Sequence, residues 1–307
     1  MKHWIEAARV RTLPLSVSGI IVGSFYAMSQ AMFNWNIVLF ALLTTLGLQI
    51  LSNFANDYGD GIKGTDNDDR VGPKRAIQKG TITPFAMKNA MILMSVITLF
   101  FAVLLIYYAF KESYLLYSFI FLFLGILAIA SAIRYTVGKG AYGYRGFGDV
   151  FVFIFFGLVS TFGVYFMFSK EFDGLLLLPA TAIGFLSVGV LNLNNMRDEE
   201  SDRKAGKNTI VVQKGSEWAK NYHYFLVISA MVLVVLFAIL NHFHFDQYLF
   251  LAAYFPMSSH LLTVLKNKNP KLLDPELKKL ALSTFFLSFL LALSLIYFVS
   301  DLLVNYI

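Results

Sequence analysis

Two stretches of the sequence gather oxygen ligands at helical spacing. In NFANDYGDGIK, Asn53, Asn56, Asp57 and Asp60 fall at i, i+3, i+4 and i+7, one stripe on one helix face. In NLNNMRDEESD, Asn194, Asp198 and Asp202 recur every fourth residue, with Asn195 beside them. Such oxygens suit a hard cation. Mg2+ is commonly held by one or two carboxylates, with waters and substrate phosphate oxygens as its other ligands. Two facing stripes with cations between them would cradle a diphosphate and stabilise the charge that develops as pyrophosphate departs. Asp and Asn are also ordinary turn residues, but solvated turns have no reason to repeat them at helical spacing in two places. Asp66, Asp68 and Asp69 lie beyond the first stripe and read equally well as loop acids or as further ligands.

Basic residues punctuated by glycine accompany both stripes: Lys63, Lys74 and Arg75 at the first, Arg197 and Lys207 at the second. Arg binds phosphate oxygens as a fork and Lys as a point charge. The alternative for each is topology alone. A third segment, IRYTVGKGAYGYRGFGD, sets Arg134, Tyr135, Lys139, Tyr142, Tyr144 and Arg145 among glycines, which describes a flexible, partly ordered mouth rich in hydrogen-bond donors. Asp149 follows at a helix start, where a carboxylate is favoured by the helix dipole.

A membrane bundle must position these residues. The chain of 307 residues is 57% hydrophobic and 14% charged, with a mean hydropathy of +0.64, too apolar for an ordinary soluble domain. A spanning helix needs about 20 mostly apolar residues. Runs of that kind cover roughly 12 to 33, 36 to 57, 84 to 109, 113 to 133, 148 to 168, 174 to 195, 221 to 241, 246 to 265 and 277 to 300. The first follows a basic start but is longer than the roughly 7 to 15 residues of a signal-peptide core, so it counts as a span.

If the runs alternate sides, all of the 25 Lys and Arg except Lys111 and Lys170 fall on one side, together with the N-terminus and both stripes. The positive-inside rule makes that side cytoplasmic. The net charge of +6 then belongs to the anionic membrane surface, and no nucleic-acid-binding pattern is present. There is no cysteine, hence no disulfide or thiolate chemistry. The histidines are scattered, and no pair has ligand-like company near the stripes.

The expected fold is all-α: a polytopic membrane protein of nine transmembrane helices around a central cavity, with cytoplasmic cap loops. Residues 1–307 form a single domain in which helices 1–4 and 5–8 make a pseudo-repeat and a ninth helix is added. The second and sixth helices should face each other across the cavity. Inverted repeats with acids at the membrane midplane would suit an ion-coupled carrier, but a carrier's coupling residues belong deep in broken helices, whereas these acids cluster at cytoplasmic helix ends.

The two stripes, with NDYGDGIKGTDNDDRVGPKRAIQKG, NNMRDEESDRKAGKNTI and YGYRGFGD around them, resemble the UbiA-type intramembrane prenyltransferases. Within that superfamily they are similar to the branch that prenylates 1,4-dihydroxy-2-naphthoate in menaquinone synthesis. The resemblance implies Mg2+ held by Asp57, Asp60, Asp198 and Asp202, with Asn53, Asn56 and Asn195 beside them. It implies that Tyr135 and Lys139 contact diphosphate, and leaves Tyr142 and Arg145 for the acceptor. It implies a polyprenyl diphosphate donor, the naphthoate as acceptor, demethylmenaquinone, CO2 and diphosphate as products, and a place in the cell inner membrane among lipids. Other aromatic acceptors, 4-hydroxybenzoate among them, belong to sister enzymes. Two departures stand out: Gly64 occupies the last Asp position of the broad pattern, and YTVGK at residues 135–139 replaces the YTGGP of many naphthoate enzymes.

Overall fold

The computed structural model describes residues 1–66, 71–111 and 113–305, with side chains to residue 296, so Asp68 and Asp69 lie outside the described residues. Among those residues there is no strand, and nine helices are long and apolar enough to cross a membrane. They are α1 (Lys2–Ser29), α2 (Trp35–Lys63), α3 (Pro84–Phe110), α4 (Leu115–Arg134), α5 (Gly148–Ser169), α6 (Gly174–Arg197), α7 (Ser216–Leu240), α8 (Phe245–Lys266) and α9 (Pro270–Ile296). The number and order agree with the apolar runs of the sequence.

The boundaries differ where backbone chemistry overrides hydropathy. α1 starts ten residues earlier than its apolar run, but it is broken: Lys2–Ala8 is helical, Arg9 takes the left-handed conformation (φ 50°), and Val10–Thr12 is a short 3-10 turn before Leu13–Ser29. Pro14 opens that last segment, where its missing N–H costs nothing. α2 overruns its apolar stretch. Asn34 caps it by accepting the Asn36 N–H, and it continues through the whole first stripe to Lys63, where Gly64 supplies a left-handed stop (φ 71°).

α5 departs furthest from the ideal, being a π-helix over Phe153–Gly163. π segments are rare and tend to mark functional regions. Here the wider turn lays Gly157 onto α6 so closely that a Cβ would lie 2.7 Å from both the Ala180 carbonyl oxygen and Gly184 Cα. Backbone contact of this kind is how small residues join membrane helices.

Buried side chains form a large cluster across α1, α6, α7 and α9, with Val22, Leu186, Leu193, Val227, Phe237 and Leu287 at its centre. A second links α1, α2, α3 and α5 through Ile20, Ala41, Ile106, Phe110 and Val164. A third lies at the end of the bundle that carries the stripes. There Ala76 and Ile82, from the segment between α2 and α3, pack on Leu51, Phe54, Met87 and Met91. That segment is therefore a folded cap with its own apolar anchor. α4 packs on α2 and α3, and its outward face, including Leu116, Phe119, Phe123 and Ile126, is exposed for lipid.

Candidate active site

Two connected cavities lie inside the bundle. A polar one of about 180 Å³ is lined by Arg9, Asn56, Asp60, Arg75, Asn194 and Lys207, among others, so α2 and α6 do face each other across it. An apolar one of about 300 Å³ extends away between α1, α2, α3, α4 and α5, past Ala41, Ile106, Phe121, Gly125, Phe155 and Met167. Gln49, Asn56, Tyr135, Phe156 and Leu191 line both. The combination is a charged chamber opening into an oily sleeve.

On the α2 side, Asp60 accepts from Arg75 Nη1 at 2.6 Å through Oδ2 and from the Tyr144 hydroxyl at 2.6 Å through Oδ1. The same Arg75 nitrogen reaches Asp66 Oδ2 at 3.1 Å and donates to the Asn56 carbonyl at 2.7 Å. Asp66 is thus a buried partner of Arg75, no longer an undecided loop acid. Burial alone would lower the Arg75 pKa, yet the carboxylates of Asp60 and Asp66 hold it above the ordinary value. Burial and the neighbouring Asp60 likewise push the Tyr144 hydroxyl up, so it stays protonated as a donor. Lys63 donates to the Thr136 carbonyl at 2.7 Å with its ammonium 3.8 Å from the centre of the Tyr144 ring.

Asp57 behaves differently. Its two oxygens accept the backbone N–H groups of Ala76 (3.0 Å) and Ile77 (3.2 Å), and it does not line either cavity. In this state it anchors the cap that carries Arg75. Asn53 donates to the Ala8 carbonyl at 2.8 Å, tying α2 to the broken start of α1.

On the α6 side, Arg197 holds Asp198 in a fork, and Asp202 lies 3.4 Å from Lys207 Nζ. Burial works to strip Lys207 of its proton, but Asp60 and then Asp202 overcome it and hold its pKa above the ordinary value. Because Lys207 serves Asp60 as well, Asp202 is the poorly compensated partner. Burial pushes its carboxyl up to about 6, against the pull of Lys207 and with the help of Asp198 and Asp60.

The oxygens left over decide whether a cation fits. Asn56 Oδ1, Asn195 Oδ1 and Asp202 Oδ2 are buried with no hydrogen-bond donor among the described residues. Such atoms normally find a partner, and hard oxygens without donors beside carboxylates are a fit for Mg2+.

Of the other residues expected at the site, Tyr135 lines both cavities and Tyr142 the apolar one, where its ring stacks on Phe151 at 4.0 Å and its hydroxyl donates to the Ser131 carbonyl. Lys74, Arg134, Lys139 and Arg145 are exposed and line neither cavity. The mouth expected between α4 and α5 is ordered around a 3-10 turn at Tyr142–Arg145.

Sequence reasoning missed Arg9, counted only as a topology charge, and Gly59. The Cβ of any residue at 59 would fall 2.6 Å from Thr136 Oγ1 and 2.7 Å from the Thr136 carbonyl carbon. Gly59 thus lets α2 press the first stripe against the end of α4. Gly59→Ala is expected to shift the stripe and cut turnover by roughly 100-fold, the scale of ångström misplacement. Steady-state rates and gel filtration of the purified variant check both the loss and the retained fold.

Known proteins are similar to this chain in sequence and in fold. The pattern of the UbiA prenyltransferase family matches residues 16–290. The 1,4-dihydroxy-2-naphthoate octaprenyltransferase of Haemophilus influenzae is 40% identical over 299 residues, 96% of each chain. The protein of the same description from Escherichia coli is 40% identical over 276 residues, 90% of this chain and 89% of that one. In fold, the structure of a UbiA homologue from Archaeoglobus fulgidus bound to DMAPP and Mg2+ superposes with a TM-score of 0.59 at 16% identity, covering 94% of this chain and 99% of that one. The chain belongs to the UbiA prenyltransferase family.

Proposed function

We propose that this protein transfers a polyprenyl group from polyprenyl diphosphate to 1,4-dihydroxy-2-naphthoate, with loss of the carboxylate as CO2 and release of diphosphate. The acceptor ring is a hydroquinone, so the product forms at that level, with demethylmenaquinone as its oxidised form. What carries the reading is the joined pair of cavities, a cationic chamber set into an apolar sleeve, in a chain 40% identical to naphthoate octaprenyltransferases over nearly its whole length.

Asp60 and the amide oxygen of Asn56 line the chamber and would hold Mg2+ there, whereas Asp198, Asp202 and Asn195 line neither cavity and would join as ligands by family resemblance. Asp57 joins them by family resemblance, once it gives up its two cap amides. When bound, the ion offsets the charge of the diphosphate and of the leaving pyrophosphate. Arg75 and Lys207 line the chamber and supply donors to phosphate oxygens. The sleeve takes the isoprenoid tail and keeps water from the allylic carbon as its C–O bond breaks. Tyr142 and Phe151 line the sleeve as a stacked pair, and aromatic rings stabilise a cation that comes over their faces. Arg9, at the kink of α1, lines the chamber and is a cation suited to the acceptor's carboxylate. The basic loops support a reading in which this end of the bundle faces the cytoplasmic side of the inner membrane.

The test is purified protein in detergent with a polyprenyl diphosphate, Mg2+ and either 1,4-dihydroxy-2-naphthoate or 4-hydroxybenzoate. Pyrophosphate and CO2 released in equal amounts with the naphthoate alone are expected. Turnover with 4-hydroxybenzoate and no CO2 would reassign the acceptor, and absence of pyrophosphate with both would remove the transferase reading.

A further inference from the structure

The second carboxylate cluster contains an acid that the stripe spacing does not reveal. The Arg197 side chain is 2% exposed and its guanidinium is bound on every edge. Nε and Nη2 donate to the two oxygens of Asp198 at 2.9 and 2.6 Å, Nη2 also to Asn194 Oδ1 at 2.9 Å, and Nη1 to Asp274 Oδ1 at 2.5 Å. Asp274 stands in the first turns of α9, and its side chain is 32% exposed. We propose that Asp274 is a positioning residue for the metal site: it retains the Arg197 guanidinium when Asp198 turns its oxygens to Mg2+. The proposal rests on the reading of Asp198 as a metal ligand.

The argument is electrostatic. A forked Arg–carboxylate pair is among the strongest hydrogen-bonded arrangements. If Asp198 and Arg197 stood alone, a cation could take Asp198 only by leaving a guanidinium buried without a charged partner, which is strongly unfavourable. With Asp274 present, two carboxylates share one guanidinium. The cluster keeps a surplus negative charge that attracts the ion, and Arg197 keeps a partner after Asp198 is drawn away. Glu276, two residues further on, does not serve in its place, because His260 Nδ1 binds it at 2.6 Å and Lys279 lies 3.8 Å away.

The first stripe has the same construction. Arg75 Nη1 stands between Asp60 Oδ2 at 2.6 Å and Asp66 Oδ2 at 3.1 Å. In both clusters one arginine is shared by an acid of the stripe and an acid from outside it. A tie that served only to join α6 and α9 would need neither the fork nor the repetition, since the two helices already pack along Leu280 and Gly189.

The experiment uses the full chain purified in detergent, with Mn2+ as the probe, its free fraction read by electron paramagnetic resonance, and Mg2+-dependent turnover measured alongside. Asp274→Asn is expected to weaken Mn2+ binding by roughly tenfold, the scale on which partners behind metal ligands act. The Mg2+ concentration for half-maximal rate should rise by the same factor, while kcat at saturating Mg2+ and KM for the prenyl diphosphate stay within about twofold. Asp274→Glu should restore binding. Asp274→Ser, which keeps a good residue at the helix start, should weaken it as Asn does and serves if the Asn variant does not fold. Unchanged Mn2+ affinity in Asp274→Asn or Asp274→Ser, beside lost binding in Asp198→Asn, overturns the proposal. Mn2+ binding that Asp198→Asn leaves intact overturns the metal-site reading and the proposal with it.

Discussion

Asp198→Asn, purified in detergent and assayed at saturating Mg2+, is expected to turn over about two to three orders of magnitude more slowly than the parent while eluting as the same folded species. The magnitude is that of removing one group aimed at charge developing in a transition state. The fold should survive because Asn is isosteric and Arg197 keeps Asp274 as its charged partner. Asp57→Asn should also lose activity, but by a different route. Asp57 holds the amides of Ala76 and Ile77, so weakening it frees the cap that carries Arg75, and the loss should appear largely as a raised KM for the prenyl diphosphate. Wild-type rates for either variant in the presence of excess Mg2+ would sink the assignment of these helices to diphosphate chemistry.

Arg75→Ala should produce the largest change in stability. Its guanidinium is the charged partner of Asp60 and Asp66, whose side chains are 2% and 1% exposed. Removing one member of a buried ion pair typically costs about 3–5 kcal/mol, because the other charge is stranded. The metal-free variant is therefore expected to unfold at distinctly lower temperature or denaturant concentration. Mg2+ should recover more stability in the variant than in the parent, since a ligand that binds only the folded state stabilises it and the vacated carboxylates attract it more strongly. Unfolding curves with and without Mg2+ give the comparison, and an equal response of the two proteins would contradict it. Activity should stay low at any Mg2+ concentration, because a donor to the diphosphate is gone.

The nine spans were legible because hydropathy acts over whole segments, and averaging hides local irregularity. Of the Asn and Asp read at helical spacing, Asn56, Asp60 and Asn194 line the polar cavity, while Asp57, Asp198 and Asp202 do not. Sequence periodicity could not show which side chains the apolar surroundings would force into mutual pairs. Asp66 and Asp274 stand outside both stripes and are joined to them only in three dimensions, through Arg75 and Arg197. His223 and His260 looked isolated in the sequence, yet α7 and α8 bring their Nε2 atoms to 2.8 Å, with Glu276 continuing the chain. No group of His, Cys, Asp and Glu among the described residues has the arrangement of a formed metal site. This follows from the same pairing, since the chain's own cations engage the acids. Arg9 was invisible for a backbone reason: nothing in AARVRT announces a left-handed residue, and without that break its side chain would follow the helix instead of meeting the chamber.

The glycine contact between α5 and α6 reaches beyond packing. Gly157 and Gly184 bring two backbones together with no side chain between them, and Gly23 of α1 sits as tightly on the Thr161 carbonyl of α5. Steric contact of that kind has almost no compliance, so α1, α5 and α6 behave as one stiff wall. α4 has no such seam with α5 among the described residues; it packs instead on α3 and on α2, where Gly59 meets Thr136 just past the end of α4. The protein therefore has a hard flank and a soft flank around the same sleeve. A bulky lipid product would leave by parting α4 from α5, and α6, on the hard flank, would keep Asp198 and Asp202 in their places while it goes.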